Sequence, residues 1–324
     1  MSNSSRIARI ALAFATFVFA AAAAAQSYPS KPIRIIVPFA AGGTSDILAR
    51  FISPKLTEAW GQPVIVENKT GANGNVAAEY VSRSAPDGYT VMLGDIGALS
   101  IAPSVYPTLP FDPVKDFSPI VMVSYSPHIL AVHPSVPVSN VKELIAYAKA
   151  RPGQLNFAVS GTGGAPHLAG VEFAARTGVQ WAYIPYKGGS AAVTDVIAGN
   201  ANVLFNGMLA TYPSVKGGRL KGLAVSSAQR VPSAPELPTV AETLPGFETG
   251  SYQGLLAAAG TPRDIVMKLN AEIAAILRVA EVRESLARQG LDPVTGTPAE
   301  FAQLIRADLA KWARVVADAH ITPD

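Results

Sequence analysis

From residue 33 onward the chain alternates between two apolar patterns. Residues 33–37 (IRIIV) are largely β-branched and read as a buried strand ended by Pro38. Residues 46–59 then put Ile47, Leu48, Phe51, Ile52 and Leu56 on one helical face. Pro54 sits inside that face and is expected to remove one backbone bond and kink the helix. Residues 62–69 predict a second strand, 76–85 a helix and 88–95 (GYTVMLGD) a third strand. Strands and helices alternating at this spacing imply a parallel sheet with right-handed crossovers. Residues 117–134 are extended without helical period and read as a strand pair crossing between domains. A helix follows, stopped by Pro152-Gly153.

The pattern then starts over. Residues 155–178 read as strand, glycine-rich turn and helix, 179–200 as strand, turn and helix, and 201–207 as a further strand. Residues 220–227 are expected to return the chain to the first domain. A Pro-rich connector at 232–245 precedes a strand-like run at 252–260. Two helical blocks close the chain. Residues 265–289 carry Ile265, Leu269, Ile273, Ile276 and Leu277 on one stripe, and 298–319 carry Phe301, Leu304, Ile305, Leu309, Trp312 and Val316. Thr297 is placed to cap the second block, with Pro298 in its first turn.

Each half therefore places a Gly-Gly turn with hydroxyls between a strand and a helix: PFAAGGTSD at 38–46 and VSGTGGAPH at 159–167. A helix N-terminus offers unpaired N–H groups and about half a positive charge, which suits carboxylate as well as phosphate. No Lys follows the glycines and no G-x-G-x-x-G is present, so a nucleotide site is poorly supported. Gly42 and Gly43 allow close backbone approach, Thr44 and Ser45 add hydroxyl donors, and Asp46 is placed to cap the helix. In the second turn Ser160 and Thr162 supply donors. His167 either donates to a ligand or caps and packs. Tyr186 is a candidate apolar wall with a polar tip. Lys187 is a counter-ion or a surface charge. Asn206 falls at the carboxyl end of a strand, where open α/β sheets bind ligands.

The N-terminus changes the charge picture. Residues 1–9 carry Arg6 and Arg9 and no acid, residues 10–24 are apolar, and Ala23-Ala24-Ala25 fits a cleavage site before Gln26. This is the layout of a secretory signal peptide over 1–25. Its removal takes Lys+Arg from 26 to 24 against 23 acids, a net charge near +1. No basic stripe with aromatics is present, which argues against nucleic acid. Cys is absent, so an exported chain must rest on its core rather than on disulfides. No G-x-S-x-G elbow, H-E-x-x-H motif or metal spacing is found among the four His and the acids, and no cofactor is implied. That balance favours binding over turnover.

Seven stretches carry a resemblance: YPSKPIRIIVPFAAGGTSDILAR, GQPVIVENKTGANGN, LPFDPVKDFSPI, LNFAVSGTGGAPHLAG, PYKGG, LPTVAE and GTPAEFA. Together they make the chain similar to the Bug or TctC-type extracytoplasmic solute-binding proteins of tripartite tricarboxylate transport systems, over about residues 28–321. The resemblance implies an α/β, two-lobed type II periplasmic binding fold, with mostly parallel sheets and crossing strands between lobes. It divides the mature chain into lobe 1 (26–125), lobe 2 (126–227) and a return to lobe 1 with C-terminal helices (228–324). It implies that Phe39, Ala40 and 42–46, with Ser160, Gly161, Thr162, Gly163 and Gly164, hold a ligand carboxylate. The expected function is a periplasmic receptor for a mono- or dicarboxylate that delivers to membrane permease subunits. A sensory role with a sensor kinase is the alternative, and a serine hydrolase using Ser160 or Ser45 with His167 as base is the third reading. The family usually has Asp where this chain has Asn206. A neutral amide both donates and accepts, so it is expected to repel a second carboxylate less and hold an ammonium group less well.

Overall fold

The computed structural model describes residues 28–291 and 293–319. The leader assigned to 1–25 lies outside the described residues. The first half follows the predicted alternation: β1 (Ile33–Val37), α1 (Thr44–Trp60), β2 (Val64–Asn68), α2 (Asn75–Ser82) and β3 (Thr90–Asp95). A π-helical turn, Gly97–Ile101, leads into α3 (Ala102–Val105). β1 lies between β2 and β3 and is parallel to both. α1 runs through Pro54 as one element and buries Leu48, Ala49, Ile52 and Leu56 against β1 and β3.

β4 (Phe117–Val132) is a single strand, not the strand pair expected. Its first part, 117–127, pairs antiparallel with β9 (Gly250–Ala258). Its last part, 128–132, pairs antiparallel with β7 (Val203–Gly207) and β8 (Lys221–Val225). Pro119, Ser124 and Pro127 are carried within the strand, where the register shifts between Pro119 and Val121 and between Met122 and Ser124. The sheet order is β2-β1-β3-β9-β4-β7-β5-β6, with β8 on β4. Pairing is parallel among β1, β2 and β3 and from β5 (Asn156–Val159) to β6 (Ala182–Pro185) and β7. Every pair made by β4 or β9 is antiparallel.

The second half adds α4 (Val141–Lys149), α5 (Ala165–Thr177), α6 (Gly189–Ile197) and α7 (Met208–Lys216). Its core is aromatic: Phe173 stacks on Trp181 at 5.5 Å, and Phe205 on Phe247 at 5.8 Å. Val240 and Phe247 belong to that core, and Thr249 N–H donates to Ser226 O at 2.9 Å. Residues 228–249 therefore pack with the second half, not with the first as the connector's position suggested. The chain re-enters the first half at β9.

The C-terminal part contains α8 (Arg263–Arg278), α9 (Ala280–Ala287) and α10 (Pro298–Ala319). The single block expected over 265–289 is broken at Val279, whose ψ of 129° is extended. At α10 the expected cap is present. Glu300 N–H donates to Thr297 Oγ1 at 3.2 Å, and Thr297 N–H donates back to Glu300 Oε2 at 2.7 Å. Phe301, Ile305, Trp312 and Val316 bury the predicted stripe.

Candidate binding site between the lobes

The two glycine turns are near copies in backbone as well as in sequence. Gly42 has φ 79° and Gly163 has φ 72°, a left-handed conformation that side chains resist. Gly43 and Gly164 then both take φ −77°, with ψ 166° and 165°, and serve as N-caps of α1 and α5. Gly43 N–H donates to Ala40 O at 3.3 Å, and Gly164 N–H to Gly161 O at 3.2 Å. Four residues after each left-handed glycine a side chain turns back. Gly42 N–H donates to Asp46 Oδ2, and Gly163 N–H to His167 Nδ1, both at 2.9 Å.

This repeat corrects the expected roles. The N–H groups of Gly42, Gly43, Gly163 and Gly164 each have an acceptor within their own loop. Asp46 is not the N-cap; Gly43 is, and Asp46 braces the turn before it. Burial opposes the Asp46 charge, but Arg50, the Gly42 amide and Asn68 outweigh it and hold its carboxyl below the usual range. His167 is buried, packs edge-on to Tyr183 at 4.6 Å and braces the second turn as Asp46 braces the first. Donors remain at the first turn of α1, where Thr44 and Ser45 have no intrahelical acceptor for their N–H groups. Pro166 removes one such donor from α5.

Between the turns lies a chamber of about 580 Å³ whose walls include Phe39, Asn73, Ser160, Gly161, Thr162 and Tyr186. A smaller recess of about 40 Å³ shares Phe39 and Ser160 with it and adds Gly43, Thr44, Ser45, Asp95, Asn206 and Gln253. The halves touch across this space. Ala40 N–H donates to Lys187 O at 3.2 Å, and Ser190 Oγ donates to Ala41 O at 2.8 Å. Tyr186 lends its ring to the chamber, while its hydroxyl donates to Asp195 and is pushed up to about 12 by burial and that carboxylate. The Lys187 side chain is exposed, which fits a surface charge. Asn206 Nδ2 donates to Thr211 Oγ1 at 3.0 Å and to Gly189 O at 3.4 Å. Its donor face is taken, so the amide offers the recess an acceptor, contrary to the two-way role expected.

Sequence reasoning missed the segment 71–74, Asp95 and Gln253. Ala72 and Asn73 both have positive φ, at 43° and 51°. Asn73 reaches the second turn: a Cβ on Gly161 or Gly164 would lie 2.8 Å from its Oδ1. Asp95 ends β3 as Asn206 ends β7, so the strand-end rule that picked Asn206 would also have found it. Asp95 Oδ1 accepts from Gly97 N–H at 3.0 Å and Ala98 N–H at 3.4 Å. Burial pushes its carboxyl up to about 7 against the pull of those two amides. Among the residues lining the recess there is no Lys, Arg or His. The Tyr252 hydroxyl, bonded to Ser100, is pushed up chiefly by burial, with a small further contribution from Asp95.

A carboxyl near 3.9 in the unfolded chain and raised in the fold stabilises most below about pH 4, and that stability is lost as pH rises through about 7. Asp95→Asn removes this loss. The ligand-free variant is expected to melt higher than the wild type at pH 8, with the difference shrinking toward pH 5. Calorimetric melting at both pH values checks it, and a variant that melts lower at pH 8 contradicts the sign.

The comparisons agree with this architecture. The family model described as "Tripartite tricarboxylate transporter family receptor" matches residues 48–321. BugT of Bordetella pertussis is 35% identical over 320 residues, covering 98% of each chain. The structure of R. palustris Rpa4515 with adipate superposes with a TM-score of 0.90 at 36% identity, covering 92% of this chain and all of that one. MatC from Rhodopseudomonas palustris with bound malate gives 0.85 at 31% identity over 89% of this chain and all of its own. These relatives are solute-binding receptors rather than enzymes, which sets aside the hydrolase reading. Two α/β halves joined by long antiparallel strands, a cleft floored by paired glycine turns, and a family match over most of the length lead to one assignment: the chain belongs to the tripartite tricarboxylate transporter receptor family.

Proposed function

We propose that this protein is a periplasmic receptor that captures a small mono- or dicarboxylate between its halves and delivers it to membrane permease subunits. The observation that carries the reading is the pair of matched turns meeting at one cleft, in a family whose relatives hold adipate and malate. One ligand carboxylate takes the Thr44 and Ser45 amides and hydroxyls with Ser160 and Thr162, while Phe39 and Tyr186 sort the remainder in the chamber. Among the described residues no helix is long and apolar enough to cross a membrane. The family description is a transporter's, which favours delivery to a permease over the sensory role. Water leaves as the halves close, and each remaining hydrogen bond strengthens. Titration calorimetry against aliphatic, aromatic and amino-bearing carboxylates tests this. At least one is expected to bind with a Kd of about 10 μM or tighter, near −7 kcal/mol. A panel without a binder would sink the proposal.

A further inference from the structure

The two halves also meet away from the chamber, through apolar side chains. Val105 ends α3 in the first half, and its γ-methyls rest on the backbone of Gly163 in the second: a Cβ on that glycine would lie 2.7 and 3.0 Å from them. α5 begins just beyond, with Gly164 as its N-cap. Its residues Ala165 and Leu168 lie three apart and so share one side of the helix. Both are buried in a cluster with Val105, Ile101, Phe301 and Trp312. They are the members that the second half contributes to it among the described residues; the others come from the first half, including the parts of β4 and β9 that pair within it. None of Val105, Ala165 and Leu168 lines the chamber or the recess.

Such a contact differs in kind from the polar contacts a solute makes. It is non-directional and scales with the apolar area taken from water. It joins protein groups to protein groups, so its strength does not depend on which solute is held. The second glycine turn and α5 are continuous, so parting the halves lifts Ala165 and Leu168 off Val105 and wets all three at once. The hydrogen bonds that cross between the halves, Ala40 to Lys187 and Ser190 to Ala41, exchange readily with water and oppose parting less.

We propose that Val105, Ala165 and Leu168 form an apolar clasp that holds the halves shut from outside the ligand chamber. They are positioning residues for retention: they set the rate at which a captured solute leaves without touching it. The inference rests on the capture-by-closure reading above and extends it to the release step.

Stopped-flow binding and release of adipate, malate, succinate and benzoate tests it. Leu168→Ala is expected to raise koff about tenfold or more for every solute that the wild type binds. The factor should agree among solutes within about threefold, since the clasp reads none of them, and kon should not fall. Val105→Thr keeps the side-chain shape and sets a hydroxyl in the clasp. It repeats the test from the first half, with a rise of about threefold or more, even where Leu168→Ala does not fold. A rise in kon together with koff also supports the clasp, and shows that it closes the unloaded protein too. An unchanged koff, a loss confined to some solutes, or a loss carried by slower entry overturns the clasp and leaves the carboxylate reading intact. A wild type that binds none of the four, nor any member of the calorimetric panel, overturns that reading and the clasp's role in release with it.

Discussion

Gly163→Val is expected to abolish measurable solute binding and to lower stability by about 2–6 kcal/mol. Two separate costs add. A β-branched residue at φ 72° pays a left-handed strain of about 1–3 kcal/mol. Its Cβ would also lie 2.7 Å from Val105 Cγ1, a contact that forces the turn or α3 to move, for another ~1–3 kcal/mol. Moving the turn breaks the Gly163–His167 bond and displaces Ser160 and Thr162 from the chamber wall. Gly42→Val separates the two effects, since its φ is 79° but its nearest neighbour, Ser190 Cβ, is 3.5 Å away. The order of damage should be Gly163→Val, then Gly42→Val, then Gly43→Ala, where φ is ordinary. Urea unfolding with binding titrations on each variant gives the order, and an undiminished affinity in Gly163→Val would refute the role of the second turn.

Phe173→Ala is expected to cost about 3–5 kcal/mol, the range for emptying a large aromatic site in a packed core. The ring is fully buried, stacks on Trp181 and meets Phe205 and Phe247 edge-on at 6.0 and 6.2 Å. Three rings around one position leave little freedom to collapse into the vacancy. Because Phe205 and Phe247 come from β7 and the connector, the loss spreads to the wall that carries Asn206. Denaturant midpoints with an unchanged m-value would measure it, and a cost under about 1 kcal/mol would show that the core repacks.

The sequence announced what local chemistry controls. Apolar period and β-branching located β1, β3, α1 and α10, and Thr297 with Glu300 marked a cap that the fold contains. Paired glycines located both turns. What escaped has a common cause, since it depends on partners distant in the chain. Residues 117–134 read as a strand pair, and 117–132 form one strand because β9, more than a hundred residues later, holds its first part. The break at Val279 carries neither Gly nor Pro, so the stripe passed through it unmarked. The connector at 232–245 is Pro-rich, and Val240 and Phe247 in the aromatic core, with the Thr249–Ser226 bond, tell which half owns it and the residues after it. Which amides of a glycine turn remain open to a ligand depends on Asp46 and His167 turning back, and residue type alone does not give that. Asp95 and Gln253 become neighbours through strand register, and no linear motif joins them.

The bracing of both turns has a consequence for how a solute is received. Since each left-handed glycine already has its amide engaged by a side chain of the same turn, the shape of the receiving surface is set while the site is vacant. Arrival then requires little local ordering, and discrimination falls on fit rather than on adaptation.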